Sequence, residues 1–398
     1  MESDSIFSRE KTARSQKIDV LLAPQEDVKK TPGEFLTTEE YLDSVDDLYK
    51  ENPEQVHYQW DETLYGGEQP DNIGDILRTW QEKDRAYIKK KQKRIERSKD
   101  TSESGMLQSE IEALLESSLN FAINHGEVFG QDAFAEHGSQ FDDFKHGADV
   151  IIGFRDPNGI DNLFFSADAF AGTSPEKVDE KFANRDSKAI SHPYAPLCTS
   201  AKYLRFEDAD GNIRYKNGGI VPNYIIGISK INVLEYIDDH IDIKYQGGNE
   251  PLLVSGNPEQ AANLRNKILV QIYLQSFTGY SEAFCYTNRP PKEATKDQLA
   301  IAEDVKYTHK KIFDETTKTL MTVFGINPEA KDATTQVEKM VFKFINDENF
   351  RGKKDESFLQ VVRKSVEERN KAIKKAKIIS AQNAARAAQN AAKINIDA

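Results

Sequence analysis

Hydrophobic and polar positions fall into their clearest order between residues 148 and 170. Ala148-Asp149-Val150-Ile151-Ile152-Gly153-Phe154-Arg155 is followed by Asp156-Pro157-Asn158-Gly159 and then Leu163-Phe164-Phe165-Ser166-Ala167-Asp168-Ala169-Phe170. Two apolar runs around an Asn-Gly pair predict a β-hairpin, because Asn and Gly tolerate the positive φ angles of a two-residue turn. Centring the turn on Asn158-Gly159 sets Val150 opposite Ala167, Ile152 opposite Phe165 and Phe154 opposite Leu163, so one face is wholly apolar. On the other face Asp149 meets Asp168, among Ile151, Phe164 and Phe170. Opposed residues hold their Cβ atoms roughly 4.5–5.5 Å apart. Two carboxylates that close cannot both stay charged without a cation or a shared proton.

Helical spacing surrounds this hairpin. Between Ile73 and Arg97 the apolar residues Ile73, Ile76, Leu77, Trp80, Tyr87, Ile88 and Ile95 predict an amphipathic arm or short coiled coil, interrupted at Asp84. From about Met106 to His125, Leu107, Ile111, Leu114, Leu115, Phe121 and Ala122 share one arc; Glu112 lies at its edge and Glu116 points away. Gln140-Phe141-Asp142-Asp143-Phe144-Lys145-His146-Gly147 reads as a polar approach to the hairpin. Beyond it, Ser174-Pro175-Glu176 opens a helix to about Ser187, with Val178 and Phe182 inward and Lys177 and Lys181 one turn apart. A second hairpin is expected over 201–216 around Asp210-Gly211-Asn212. The near-continuous apolar run Ile220–Ile228 is a buried strand, and the crossover sets it parallel to one strand of the first hairpin.

From Asn257-Pro258-Glu259-Gln260 onward the pattern turns helical, with helices expected at 258–278, 295–324, 335–347 and 356–393. The last ends in a tract of Ala, Gln and Asn over 381–392, strong in helix propensity but poor in apolar surface, as in a protruding or self-associating helix. The fold class expected is therefore α/β: a small mixed sheet with flanking helices, plus helical N- and C-terminal extensions. The organisation expected is an acidic, largely disordered region at 1–72, a basic helix and Ser/Thr-rich linker at 73–105, an α/β core at 106–290, a helical region at 291–350 and a basic Ala/Gln/Asn-rich helix at 351–398. One short helix is expected within the first region, from Thr38.

Composition adjusts this picture in two ways. Of 398 residues only 38% are hydrophobic and 30% are charged, so much of the chain is expected outside a core. No apolar run approaches the ~18–20 residues of a membrane span, Met1-Glu2-Ser3-Asp4 lacks the features of a signal peptide, and Cys198 and Cys285 make no disulfide framework. A cytoplasmic protein without a membrane partner is the expectation. The net charge of −13 is unevenly spread. Residues 1–76 carry 19 acids and 7 bases, residues 77–99 carry 10 bases and 3 acids, and residues 361–398 carry 9 bases and 3 acids. Basic flanks beside an acidic body suit contact with nucleic-acid phosphates; a solvated helix face explains the same charge runs.

The candidate chemistry lies at Asp149 and Asp168, with Glu112 and Lys181 nearby if the hairpin packs on its flanking helices. Hard oxygen ligands of this kind suit Mg2+ or Mn2+, and such an ion activates water and offsets charge developing on a phosphate. In the structural alternative, Asp149 ends a strand and Asp168 faces solvent. Helix, strand hairpin with an Asp on each strand, helix and buried strand together resemble the PD-(D/E)XK nuclease superfamily over about 106–230. Gly147-Ala148-Asp149-Val150-Ile151 is similar to its Asp motif, and Asp168 takes the place of its second acid. The resemblance implies an αβββαβ core and magnesium-dependent hydrolysis of DNA or RNA, by endo- or exonuclease action. It further implies that Asp149 and Asp168 hold the metal and that Glu112 supports it.

The family's lysine, expected two residues after the second acid, is Phe170 here. Some members supply it from the next helix, which would be Lys181 or Lys177. Without it the chain would be a non-catalytic nuclease-like scaffold, a homo-oligomer joined through its C-terminal helices. Asp142, Asp143 and His146 form a second cluster that reads as a solvated turn. Asp208-Ala209-Asp210-Gly211-Asn212 fails as a calcium loop because its Gly comes too early and Gly219 replaces the final Glu. His125 and His137 are expected to satisfy local hydrogen bonds.

Overall fold

The computed structural model describes residues 75–98, 111–154 (apart from 113, 114, 117, 121, 125, 127, 131 and 132), 163–171, 175–207, 213–229, 232–233, 258–347 and 355–396. In chain order these form α1 (Asp75–Ser98), α2 (helical at 111–112, 115–116, 118–120 and 122–124), β1 (Ala133–His137), α3 (Gln140–His146), β2 (Val150–Phe154) and β3 (Leu163–Ala171). Then come α4 (Pro175–Ser191), β4 (Cys198–Glu207), β5 (Ile213–Ile228), α5 (Pro258–Asn288), α6 (Lys296–Val323), α7 (Ala333–Asn346) and α8 (Glu356–Ile396). The acidic region at 1–72 with its short helix, the linker at 99–105, the Asn158-Gly159 turn, the turn at 208–212 and His125 lie outside the described residues.

The strands make one mixed sheet in the order β1-β2-β3-β5-β4. β2 and β3 pair antiparallel with Val150 opposite Ala167, Ile152 opposite Phe165 and Phe154 opposite Leu163, the register expected from an Asn-Gly turn. β5 runs parallel to β3, with Asp168 facing Ile225 across the ladder, and α4 lies within the crossover. β4 and β5 form the second hairpin, from Glu207 opposite Ile213 to Cys198 opposite Pro222.

Three elements depart from the sequence pattern. β1, with the sequence Ala-Phe-Ala-Glu-His, has no β-branched residue, and its pairing with β2 supplies what its own propensity lacks. The stretch expected as a polar approach is the helix α3, capped by the Ser139 side chain at its start and by Gly147 in the left-handed conformation at its end. α1 is also continuous through Asp84, which is buried and paired with Lys202 of β4, so the expected interruption is absent.

Each sheet face has its own core. Val150, Ile152, Phe165 and Ala167 share one large cluster with Leu115 and Leu119 of α2 and Ile268 and Ile272 of α5. Phe170 and Ile225 pack with Val178 and Phe182 of α4 and Val361 of α8. Full burial of a side chain such as Phe165 contributes roughly 1.5–3 kcal/mol. β5 outlasts its neighbour β4, whose pairing stops at Pro222, a residue without an N–H. Glutamines one turn apart on α5 then take over the ladder. Gln275 accepts from Ile225 N at 2.9 Å and donates to its carbonyl at 2.8 Å, and Gln271 accepts from Gly227 N at 2.8 Å. This leaves no buried strand amide there to cost the usual few kcal/mol of an unmade bond.

Candidate active site

Asp149 and Asp168 meet where β2 begins and β3 nears its end. The Asp149 amide donates to the Ala167 carbonyl at 3.2 Å, and its Oδ2 accepts from Ala169 N at 2.9 Å, beside Asp168. The backbone that delivers Asp149 is tightly held. Gly138 N donates to the Asp149 carbonyl at 2.8 Å, and a Cβ at Gly138 would fall 1.8 Å from the Ala148 carbonyl oxygen, so only glycine permits the approach. Buried Asn223 of β5 donates to the Gly147 carbonyl at 3.2 Å and accepts from Ser166 of β3 at 3.1 Å.

Helices bring further charges to this end of the sheet. α4 directs Lys181 to Asp168 Oδ1, and the same ammonium donates to the Ala169 carbonyl at 3.2 Å. The Asp168 and Lys181 side chains keep 18% and 27% of their exposure, so a solute can reach the pair. Lys177, one turn earlier, pairs instead with Glu112 of α2 at 3.4 Å, an exposed contact worth little by itself. Of the two helix lysines left open by the sequence, Lys181 is the one beside the aspartates. Glu112 stands in the outer ring of the site rather than against them.

Two carboxyls not assigned to the site by sequence join it. Glu116 is not directed away: its carboxyl lies in the field of Asp143, Lys181, Glu112 and Asp168. Asp143 of α3 shares a hydrogen bond with Asp149. The Asp142-Asp143-His146 cluster is thereby divided. Asp142 is buried and structural, accepting from Ser139 Oγ at 2.7 Å and Lys202 N at 2.7 Å, while the His146 ring packs edge-on against Phe141. Only Asp143 reaches the site. Its signal in the sequence was the four-residue helical spacing that an unrecognised α3 concealed.

The electrostatics follow from crowding. Burial lifts the Asp149 carboxyl well above its ordinary 3.8, and Asp168, Glu116 and Asp143 add to the lift while Lys181 opposes it. This favours the protonated form of Asp149, and Asp143 shares a side-chain hydrogen bond with it. Burial pushes Asp143 up to about 6, the bond from Asp149 opposing and Asp168 adding. Burial, then Asp143, Glu112 and Asp168, push Glu116 up to about 8. Burial works against the Lys181 ammonium, but Asp168 and Asp149 outweigh it and raise its pKa. Burial pushes His137 down to about 3, so a neutral imidazole stands 4.0 Å from Glu116.

Phe170, two residues after Asp168, is buried in the apolar cluster under α4, and its ring centroid lies 5.9 Å from the Lys181 ammonium. That distance is within the range of a cation–π contact. A phenylalanine there supports a lysine that comes from the helix.

A second buried polar group has different chemistry. His309 Nε2 donates to the Pro196 carbonyl at 2.9 Å, so its Nδ1 accepts from Tyr224 OH, also at 2.9 Å. Cys198 Sγ lies 3.7 Å from the same imidazole, but burial raises the thiol and pushes His309 down to about 4. A neutral thiol beside a neutral histidine is packing, not an activated nucleophile.

No family model, curated protein or solved structure matches the chain. Among the described residues no helix is long and apolar enough to cross a membrane, and no three His, Cys, Asp or Glu side chains are already gathered as ligands of one metal ion. The donor set nonetheless suits a hard divalent cation. Asp143, Asp149, Asp168 and Glu116 are hard oxygen donors around the Lys181 ammonium, and burial first, then repulsion among neighbouring acids, raises the pKa of Asp143, Asp149 and Glu116.

Proposed function

We propose that this protein is a divalent-metal-dependent nuclease of the PD-(D/E)XK type, hydrolysing phosphodiester bonds of nucleic acid. The observation that carries the reading is the convergence of Asp149, Asp168 and Lys181 from β2, β3 and α4 at one end of the sheet. The topology supports it. The meander β1-β2-β3, then α4, then β5 parallel to β3 follows the αβββαβ order, with α3 inserted before β2 and the edge strand β4 before β5. Asp149 and Asp168 would hold Mg2+ or Mn2+, with Asp143 and Glu116 close enough in charge to support it. When bound, the ion supplies an activated water and a counter-charge for the phosphate. Asp143, which shares a hydrogen bond with Asp149, would orient that carboxyl toward the ion. Lys181, fixed by Asp168 and the Ala169 carbonyl, positions its N–H groups toward a phosphoryl oxygen and steadies the charge that grows there.

Cleavage of labelled single-stranded DNA, duplex DNA and RNA, with and without Mg2+ or Mn2+, tests this reading. Asp149→Asn and Asp168→Asn should each abolish metal-dependent cleavage with the fold intact by circular dichroism, and Lys181→Met should slow it at least about 100-fold. Full activity in both aspartate variants would remove the site. A second reading, a non-catalytic scaffold, draws on the ion pair that already engages Asp168 and on the exposed stretch 381–389 of α8. It is favoured if wild-type protein cleaves none of the substrates and forms oligomers by light scattering that truncation after Ser380 dissolves.

A further inference from the structure

α1 is the most basic element beside the carboxyl cluster, in a chain whose net charge is −13. Arg85, Lys89, Lys93 and Arg97 recur every fourth residue and are exposed, with Lys83 and Lys90 exposed beside them. At about 1.5 Å of rise per residue the stripe from Arg85 to Arg97 spans roughly 18 Å. That length matches about five phosphates of one strand at ~3.4 Å spacing.

The opposite face of the helix anchors it. Ile88 is buried, Asp84 pairs with Lys202 of β4, and Tyr87 meets the Phe141 ring edge-on at 5.7 Å. Tyr87 OH also donates to the Phe144 carbonyl at 3.4 Å. Phe141 and Phe144 flank Asp143 on α3, so the helix that positions Asp143 against Asp149 is the one on which α1 rests. Lys91, one turn beyond Tyr87, lies close enough to Asp143 to draw its pKa down against the effect of burial.

We propose that the outward face of α1 is a rail for the phosphate backbone of nucleic acid, laying the strand alongside the end of the sheet where Asp149, Asp168 and Lys181 meet. The choice of partner rests on the nuclease reading; the existence of a fixed cationic stripe beside the site does not. A membrane-surface helix would turn its apolar residues outward into lipid, whereas here Tyr87 meets Phe141 of α3 and Ile88 is buried. A solvated helix with no partner needs neither the part-buried Asp84–Lys202 pair nor the aromatic contact that holds it at the site.

The test is fluorescence anisotropy with the full chain and a labelled 30-nucleotide single strand or 30-base-pair duplex, in EDTA so that binding is read without cleavage. Lys89→Gln/Lys90→Gln/Lys93→Gln/Arg97→Gln should weaken binding at least about tenfold and lower the slope of log K against log salt by about 3–4 on duplex or about 2–3 on single strand. Lys89→Arg/Lys90→Arg/Lys93→Arg should bind as wild type, which separates loss of charge from loss of fold. Unchanged affinity and slope in the glutamine variant would overturn the rail. So would binding of anionic phosphatidylserine vesicles with none of nucleic acid. Charge-dependent binding by a wild-type chain that never cleaves upholds the rail and removes only the nuclease reading.

Discussion

Two groups of buried charge in this molecule use the same residue types to opposite ends. Where α8 begins, Lys267 and Asp355 are both fully buried and matched one to one. Asp355 Oδ1 accepts from Ser229 N and Phe358 N at 2.9 and 3.1 Å, and Oδ2 accepts from Lys267 and Asn232 at 2.5 and 3.0 Å. Lys267 also donates to Asn232 at 2.6 Å. Every lone pair of that carboxylate is used, and the result pins the C-terminal helix to the end of β5. At the other group, Asp143, Asp149, Asp168 and Glu116 surround one close ammonium, and burial with mutual repulsion raises the pKa of Asp143, Asp149 and Glu116. The first group is closed and structural. The second stores a need for positive charge, which is what a metal ion or a catalytic lysine uses.

The largest effect that would test this contrast is at the closed pair. Lys267→Met should cost about 3–5 kcal/mol in urea unfolding at neutral pH, because it strands a buried carboxylate. A loss below about 1 kcal/mol would mean that the pair is no more than incidental.

A smaller effect is expected in the pH dependence of stability without divalent metal. Glu116 titrates near 8 in the folded chain against an ordinary 4.5, and Asp143 near 6 against 3.8. Between those limits the folded state binds more protons than the unfolded state, so stability falls as pH rises. The Glu116 contribution is complete below about 4.5 and lost by about 8; that of Asp143 is lost by about 6. Thermal unfolding should follow this course, and millimolar Mg2+ should offset the loss increasingly toward pH 8 as ligand protons are released. A flat profile, or no response to Mg2+, would put the open group in the same class as the closed one.

The smallest effect is the most diagnostic. Asp149→Asn replaces one acid of the crowded site with a group that cannot ionise and should stabilise the metal-free protein by about 0.5–2 kcal/mol, while abolishing the Mg2+-dependent stabilisation. Asp355→Asn should destabilise it. Two aspartate-to-asparagine changes of opposite sign would separate the two regions in one urea series, and changes of the same sign would merge them.

How much of this arrangement could be read beforehand varied with its physical origin. The β2–β3 register, and with it the meeting of Asp149 and Asp168, follows from the period of two and an Asn-Gly pair, both local properties. The helices over Pro258–Asn288, Lys296–Val323, Ala333–Asn346 and Glu356–Ile396 were legible for the same reason, since caps and apolar spacing lie within each segment. The length of α5 beyond residue 278 was not. Along its end buried Ser281, Ala283 and Cys285 alternate with half-buried Glu282, Phe284 and Tyr286, so no single apolar stripe of helical period runs to where it stops.

What only the tertiary structure decided is which charges meet. Glu112 and Glu116 are one turn apart, and the apolar pattern favours Glu112 at the edge of its arc over Glu116, yet Glu116 reaches the aspartates and Glu112 pairs with Lys177. Lys181 is selected over Lys177 by the distance from α4 to Asp168, Asp143 by a helix cap four residues away, and Lys267 by an aspartate 88 positions later. Spacing along the chain carries information over one or two helical turns. Coulomb interactions depend on distance through space, and that is set by how α2, α3 and α4 pack against the sheet.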